Sequence, residues 1–314
     1  MNNFLTFNTD FSIRYFSILS LLLMLVNLMT IIFALFIKND IISGSGLKKS
    51  GTKILVSAME ILILAGAIML FTDEEPSKPF ASAVLVSSIV FTIMLYWGLM
   101  QIESVSETSM ETIEAIIGMI ETNDENLDGH SLHVQNLTML LYDYLPFGIR
   151  ARLNPMNLQY AALLLDIGKL RIPRSIIEKK GKLLPSERNL IQRHPEICAK
   201  IFETIPTIGA ITEWIRYHHE RVDGSGYYHL KGNEIPLASR VLAVADTYSA
   251  ITMERSYRPS LTHENAIAEL KLVAGSQLDS EITEIFCSIP ESKFISCMND
   301  VRERMKKYKI DSFK

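Results

Sequence analysis

Three apolar runs, all before residue 101, constrain what this chain can fold into more than any other feature of its sequence. They are Phe16 to Ile37, Ile54 to Phe71 and Phe80 to Met100, each near the ~20 residues a helix needs to cross the hydrocarbon layer. The chain is 48% hydrophobic over 314 residues, and the excess sits here, so residues 1–100 read as a membrane anchor of three transmembrane helices. The N-terminus has no basic leader followed by a short apolar core and a small-residue cleavage site, which argues against a cleaved signal peptide. Between the first two runs lie Lys38, Lys48, Lys49 and Lys53 against Asp40, whereas the second connection, Asp73-Glu74-Glu75-Pro76-Ser77-Lys78, is acidic. Lysine-rich loops stay inside. The expected topology is therefore a multi-pass protein of the cell inner membrane with its N-terminus outside and everything after Met100 in the cytoplasm. Glu60, within the second run, is placed to reach interfacial water or a polar neighbour, so the three helices read as an anchor or simple sensor rather than a transporter.

Residues 101–120 carry Ile102, Val105, Ile113, Ile116, Ile117 and Ile120 at three-and-four spacing, with Glu103, Glu107, Glu111 and Glu114 between them. That is an amphipathic helix, a linker whose stripe either pairs with its copy in a homodimer or packs on its own domain. From 121 to 314 the pattern is helix after helix, punctuated at Leu153-Asn154-Pro155, Gly181, Pro185, Pro206, Asp223-Gly224-Ser225-Gly226 and Pro236. Few stretches alternate as strands do, so an all-α domain is expected. A net charge of -4 supplies no global basic field, which argues against a long nucleic acid as partner and leaves a small anionic ligand open. Cys198, Cys287 and Cys297 show no paired spacing and read as reduced thiols of a cytoplasmic domain.

Five of the seven histidines stand where chemistry would need them: His130, His194, the adjacent His218-His219, and His229 in a polar loop. Asp166 and Asp246 each follow a wholly apolar helical run, Ala161 to Leu165 and Val241 to Ala245. A buried carboxylate is costly without a cation, a hydrogen-bond set or a metal. Imidazoles and carboxylates without cysteine suit iron, manganese or zinc. Lys169 lies one turn after Asp166 and could offer a charge to a phosphate. Together these residues indicate a metal-dependent hydrolase; they do not name its substrate.

The stretch Tyr217-His218-His219-Glu220-Arg221-Val222-Asp223-Gly224-Ser225-Gly226-Tyr227-Tyr228, then Gly232-Asn233-Glu234-Ile235-Pro236-Leu237-Ala238-Ser239-Arg240 and Ala243-Val244-Ala245-Asp246, closely resembles the HD-GYP family. Glu121, Asp124 and Gly129-His130-Ser131 resemble its opening helix, Asp166-Ile167-Gly168-Lys169 its HDIGK motif, His194-Pro195 its next ligand, and Arg255 with Tyr257-Arg258 its R-x-Y-R element. The resemblance covers roughly residues 110 to 290. It implies that the three transmembrane helices read from the apolar runs are followed by a cytoplasmic HD-type helical bundle holding two iron or manganese ions, which hydrolyses cyclic di-GMP or a related, hybrid cyclic dinucleotide. It further implies His130, Asp166, His194, His218, His219 and Asp246 as metal ligands, with Asp166 as the bridge and Asp166 and Lys169 as the catalytic pair. Lys169, Arg255 and Arg258 would touch phosphates, Gly226 and Tyr227 would line the nucleotide's path, and a diguanylate cyclase could dock on the Tyr227-Tyr228 loop. Two departures qualify this. Leu165 stands where the family's HD histidine belongs, so one ion should bind weakly or not at all, and activity should be reduced; the alternative is an inactive cyclic di-GMP receptor or interaction module. Tyr228 replaces the proline of GYP, which should leave that loop less rigid. Asn126, where some relatives carry a glutamate, makes a third ion improbable. His133, one turn after His130, either fills the gap left by Leu165 or is a surface residue.

Overall fold

The computed structural model describes residues 108–122, 128–179, 181–205, 209–254 and 260–309, together with isolated helical positions before residue 100. The three apolar runs, and with them the expected membrane helices, lie almost wholly outside the described residues. No helix among the described residues is long and apolar enough to cross a membrane. The chain divides into two compact units, Met1–Thr108 and Ser109–Lys314. In the first, the described residues Leu22, Leu25, Val86, Ile89, Val90, Ile93 and Trp97 are helical, and all are exposed.

The second unit is helical, and among its described residues the only extended pairing is an isolated bridge between Ala274 and Leu278. Its helices are α1 over 108–121, α2 (His130–Tyr144), α3 (Pro155–Leu164), α4 (Pro185–Gln192), α5 (His194–Phe202), α6 (Thr212–Arg216), α7 (Leu237–Thr252), α8 (His263–Val273), α9 (Ser280–Cys287) and α10 (Glu291–Tyr308). Single turns at Phe147–Arg150 and Arg174–Ile177 complete the set.

Local chemistry sets the boundaries. Asn154 caps α3 by accepting the Asn157 N–H, with Pro155 at the first helical position, and Thr262 and Asp279 cap α8 and α9 in the same way; each such cap is worth about 1 kcal/mol. The core forms around α2, which packs against both α3 and α7. Leu132, Val134, Leu137 and Leu141 of α2 are fully buried, as are Leu158, Ala161, Ala162 and Leu163 of α3 and Val241, Leu242, Val244 and Ala245 of α7. Such all-round burial explains why these helices lack a clean polar face, and it leaves their ends as the places where polar side chains can gather.

α1 packs on this core. Met110 and Ile117 are buried and Ile113 is partly so, while Ile116 of the same stripe stays exposed; Ile102 and Val105 lie outside the described residues. Glu114 accepts hydrogen bonds from Gln135 at 2.7 Å and Arg304 at 2.9 Å, joining α1 to α2 and α10. α2 begins at Gly129, which has no side chain to cap it; Oε1 of Glu121 on α1 accepts the Ser131 N–H at 3.0 Å instead.

Burial pushes the Glu121 carboxyl up to about 7. A raised carboxyl binds its proton more tightly in the folded than in the unfolded chain. Its contribution to stability is therefore complete below pH 4.5 and is lost as pH rises through 7. We expect Glu121→Gln, whose amide oxygen still accepts the Ser131 N–H, to raise the stability of the metal-free chain at pH 8 by up to about 3 kcal/mol and to do little at pH 4. Urea unfolding at both pH values measures this, and equal effects at the two would contradict it.

Candidate metal centre

The fold brings six of the predicted residues to one place from five different elements or junctions. His130 opens α2, Asp166 starts the 3-10 turn Ile167–Arg171 that follows α3, and His194 opens α5. His218 and His219 stand in the turn after α6, and Asp246 lies within α7. Gly168 permits the approach of the 3-10 turn to α5: a Cβ there would run into the backbone carbonyl of His194 and, at 2.9 Å, the Cys198 sulfur.

The residues fall into two groups. Asp166, His194, His218 and His219 form one and His130, Asp166 and Asp246 the other; within each group, one ligand atom per residue lies within 4.8 Å of all the rest. Asp166 belongs to both. His194 Nε2 stands 3.1 Å from Asp166 Oδ1, and His130 Nε2 stands 3.1 Å from Asp246 Oδ1 and 3.5 Å from Asp166 Oδ2.

The donor set fits a metal on an observation independent of motif. Asp166 Oδ1, His194 Nε2 and His218 Nε2 are buried and make no hydrogen bond; His194 Nε2 and Asp166 Oδ1 approach closely without hydrogen-bond alignment. Buried polar atoms are rarely left in this state. The opposite nitrogens are occupied: Nδ1 of His194 donates to the Ile191 carbonyl at 2.7 Å and Nδ1 of His218 to the Ile215 carbonyl at 2.6 Å. That turns each Nε2 toward the cluster, the arrangement in which a backbone carbonyl orients a ligating imidazole. The His218 and His219 rings lie 3.9 Å apart, and His219 faces the Tyr227 ring at 5.1 Å.

Charges follow the same division. Burial alone would lower the His130 imidazole, but the carboxylates of Asp166 and Asp246 outweigh it and carry it up to about 9. Burial and then His194 push His218 down to about 4, and burial and His218 hold His219 well below the usual range. The burial of Asp166 is overcome by Lys169, whose Nζ is 2.6 Å from Oδ2, and by His130 and His194, so its carboxyl stays well below the ordinary value.

An ion taken up between His130, Asp166 and Asp246 must therefore displace a proton, whereas His218 and His219 are already free of theirs at pH 7. We expect uptake at the His130 group to release about one proton per ion and to tighten about tenfold per pH unit up to pH 9. His218 and His219 should release none. Calorimetric titration in two buffers of different ionisation heat separates the cases, and binding of both ions without proton release would contradict the assignment.

Other predicted residues are placed as follows. Lys169 borders the cluster with a side chain 20% exposed. Gly226 is buried between the Glu220 side chain and the Arg221 backbone, where a Cβ would meet both at 2.7 Å. Tyr227 lies half-buried beside His219. Arg255, Tyr257, Arg258, Asp124 and Asn126 lie outside the described residues. Leu165 is fully buried in the apolar core and supplies no donor. His133 is neither a surface residue nor in either ligand group: it is buried, with Nδ1 on the Ser249 hydroxyl. His229 is exposed and apart from the cluster.

The Gly226-Tyr227-Tyr228 loop gains its order from a feature that sequence reading missed. The buried Glu220 carboxylate accepts the Tyr228 N–H at 2.6 Å and the Leu230 N–H at 2.7 Å. A proline at 228 has no N–H and could not make the first of these bonds. Arg221 ties the same loop to Asp223, Ser225 and Gln277.

A helical domain with histidines and aspartates gathered around one shared aspartate, most of them at helix ends or in turns, is the class of arrangement found here, and residues 151–282 match the HD domain family. The chain resembles a cyclic di-GMP phosphodiesterase of Vibrio cholerae at 31% identity over 61% of this chain and 42% of that protein. It also resembles a probable cyclic di-GMP phosphodiesterase of the same organism at 35% identity, over 58% of this chain and 44% of that protein. A third relative, a 3'3'-cGAMP-specific phosphodiesterase of Vibrio cholerae, is 38% identical over 41% of this chain and 30% of its own length. The chain carries an HD domain over residues 151–282 and resembles these phosphodiesterases through it. It spans less than half the length of each of these relatives.

Proposed function

We propose that this chain is a membrane-anchored phosphodiesterase that hydrolyses cyclic di-GMP or a related cyclic dinucleotide at a two-ion centre. The observation that carries this reading is the sharing of Asp166 between two groups of mutually close donors, all buried except the partly buried His219 and Asp246. His194, His218, His219 and Asp166 would hold one ion, and His130, Asp166 and Asp246 the other, iron and manganese being the best match to nitrogen and oxygen donors without thiolate. When bound, such a pair supplies a water of lowered pKa and positive charge against the phosphoryl oxygens.

The protein's own groups do the rest. Asp166, held ionised by Lys169 and the two histidines, keeps both groups in register. Lys169, at the partly open edge of the cluster, is placed to leave Asp166 for a phosphate oxygen. Tyr227 beside His219 offers a ring on which a base can stack, and Glu220 keeps that ring in place through the backbone of the next residue. Hydrolysis adds water to phosphorus and breaks one phosphate ester bond, and the departing sugar oxygen takes up a proton.

The two groups are unequal. Leu165 leaves the His130 group with three protein ligands against four in the other, so the second ion binds more weakly and turnover is reduced relative to a centre with both filled. The same observation supports a second reading, a receptor that binds the nucleotide without hydrolysing it. The membrane part of the proposal rests on the three apolar runs and on the exposed, helical apolar residues of the first unit, with the Ser109–Lys314 unit in the cytoplasm. The test is anaerobic incubation of the purified chain with manganese or ferrous iron and cyclic di-GMP, followed by chromatography. Metal-dependent appearance of the linear dinucleotide or GMP is expected; saturable binding with no product would establish the receptor reading.

A further inference from the structure

Ser249 lies on α7, three residues after Asp246, and its hydroxyl oxygen is met from both sides by buried histidines of α2. His130 Nδ1 is 2.9 Å away and His133 Nδ1 is 3.0 Å away. All three side chains are buried, Ser249 completely. Since His130 turns Nε2 toward Asp166 and Asp246, its Nδ1 is the nitrogen left to fix the ring. The hydroxyl proton of Ser249 has two acceptors within reach, His133 Nδ1 and, at 3.4 Å, the Met253 sulfur. A thioether is a weak acceptor and an imidazole nitrogen a good one. The proton therefore goes to His133, and the lone pairs of the oxygen are left for His130.

We propose that Ser249 is a positioning residue for His130 and that His133 braces it: His130 Nδ1–H donates to Ser249 Oγ, whose own proton is donated to His133 Nδ1. The chain of three fixes the His130 ring so that Nε2 is the nitrogen offered to an ion. This inference rests on the two-ion reading above for its purpose, but not for its hydrogen bonds. It matters most in the group with only three ligands, where no fourth donor compensates for a misaligned imidazole. Partners that orient a ligating imidazole are typically worth 10- to 100-fold in metal affinity.

The test is manganese titration of the purified chain by electron paramagnetic resonance, which follows the two ions in turn. Ser249→Ala should weaken only the second, looser ion, by about 10- to 100-fold; Ser249→Thr, which keeps the hydroxyl, should restore it; His133→Leu should weaken it by a smaller factor. Equal weakening of both ions, or a threonine variant as poor as alanine, would show that Ser249 acts only through packing and would overturn the proposal. A metal-free arm keeps the two readings apart: in ring-nitrogen-labelled protein, the His130 Nδ1–H should be a slowly exchanging proton that Ser249→Ala abolishes. Should the native chain take up no manganese, the two-ion reading falls, while presence or absence of that protected proton still decides this inference.

Discussion

Asp166→Asn is expected to abolish binding of both ions and to lower cyclic dinucleotide hydrolysis at least about 10³-fold, equivalent to roughly 4 kcal/mol of transition-state stabilisation. The substitution keeps the shape of the side chain and removes its charge. Asp166 is the one residue common to both ligand groups, its Oδ1 is buried without a hydrogen bond, and its Oδ2 carries Lys169 at 2.6 Å. A neutral amide would place two N–H hydrogens where an ion is required, and it would leave Lys169 and His130 as positive charges with only Asp246 to offset them. Elemental analysis alongside a turnover assay reads both effects. Retention of two ions with near-native turnover would mean that Asp166 does not bridge them.

Gly168→Ala is expected to be the most damaging change among residues that carry no chemistry. The 3-10 turn that carries Asp166 lies directly against the start of α5, and an added methyl group would collide with the His194 carbonyl, a backbone atom with nowhere to retreat. Overpacking of this kind costs about 1–3 kcal/mol. Here the relief is separation of the turn from α5, which parts Asp166 from His194 and opens the four-ligand group. The variant should unfold at lower urea concentration and lose its tighter ion about 100-fold, a loss comparable to removing a partner that orients a ligand. Unchanged ion affinity in a destabilised protein would mean that the collision is absorbed elsewhere.

The helical architecture was legible because apolar residues recur with helical spacing and Asn154 and Pro155 mark their own helix boundary. The six gathered residues were legible for a different reason. Asp166 and Asp246 interrupt apolar runs, and a buried carboxylate demands partners; His218 and His219 sit in a long and specific motif. Three features were hidden. Ser249 and His133 are separated by 116 positions, and nothing local in either helix signals that they meet. Glu121 caps a helix other than its own, so the usual search for a cap beside the first helical turn fails at Gly129. The expected slackness at Tyr228 overlooked Glu220, whose buried carboxylate gathers the loop's N–H groups from within. The first joins helices remote in sequence, and the other two, 10 and 8 positions apart, cross from one segment into the next, which helical spacing does not reveal.

The central claim is that a centre with one complete and one three-ligand group still supports hydrolysis. It is tested most directly by measuring metal content and cyclic di-GMP turnover on the same anaerobically purified sample while manganese is raised stepwise. A first ion should bind without product, with product then appearing in proportion to occupancy of a second, weaker ion. Occupancy of both ions with no product at any concentration would contradict it and leave a nucleotide receptor in its place.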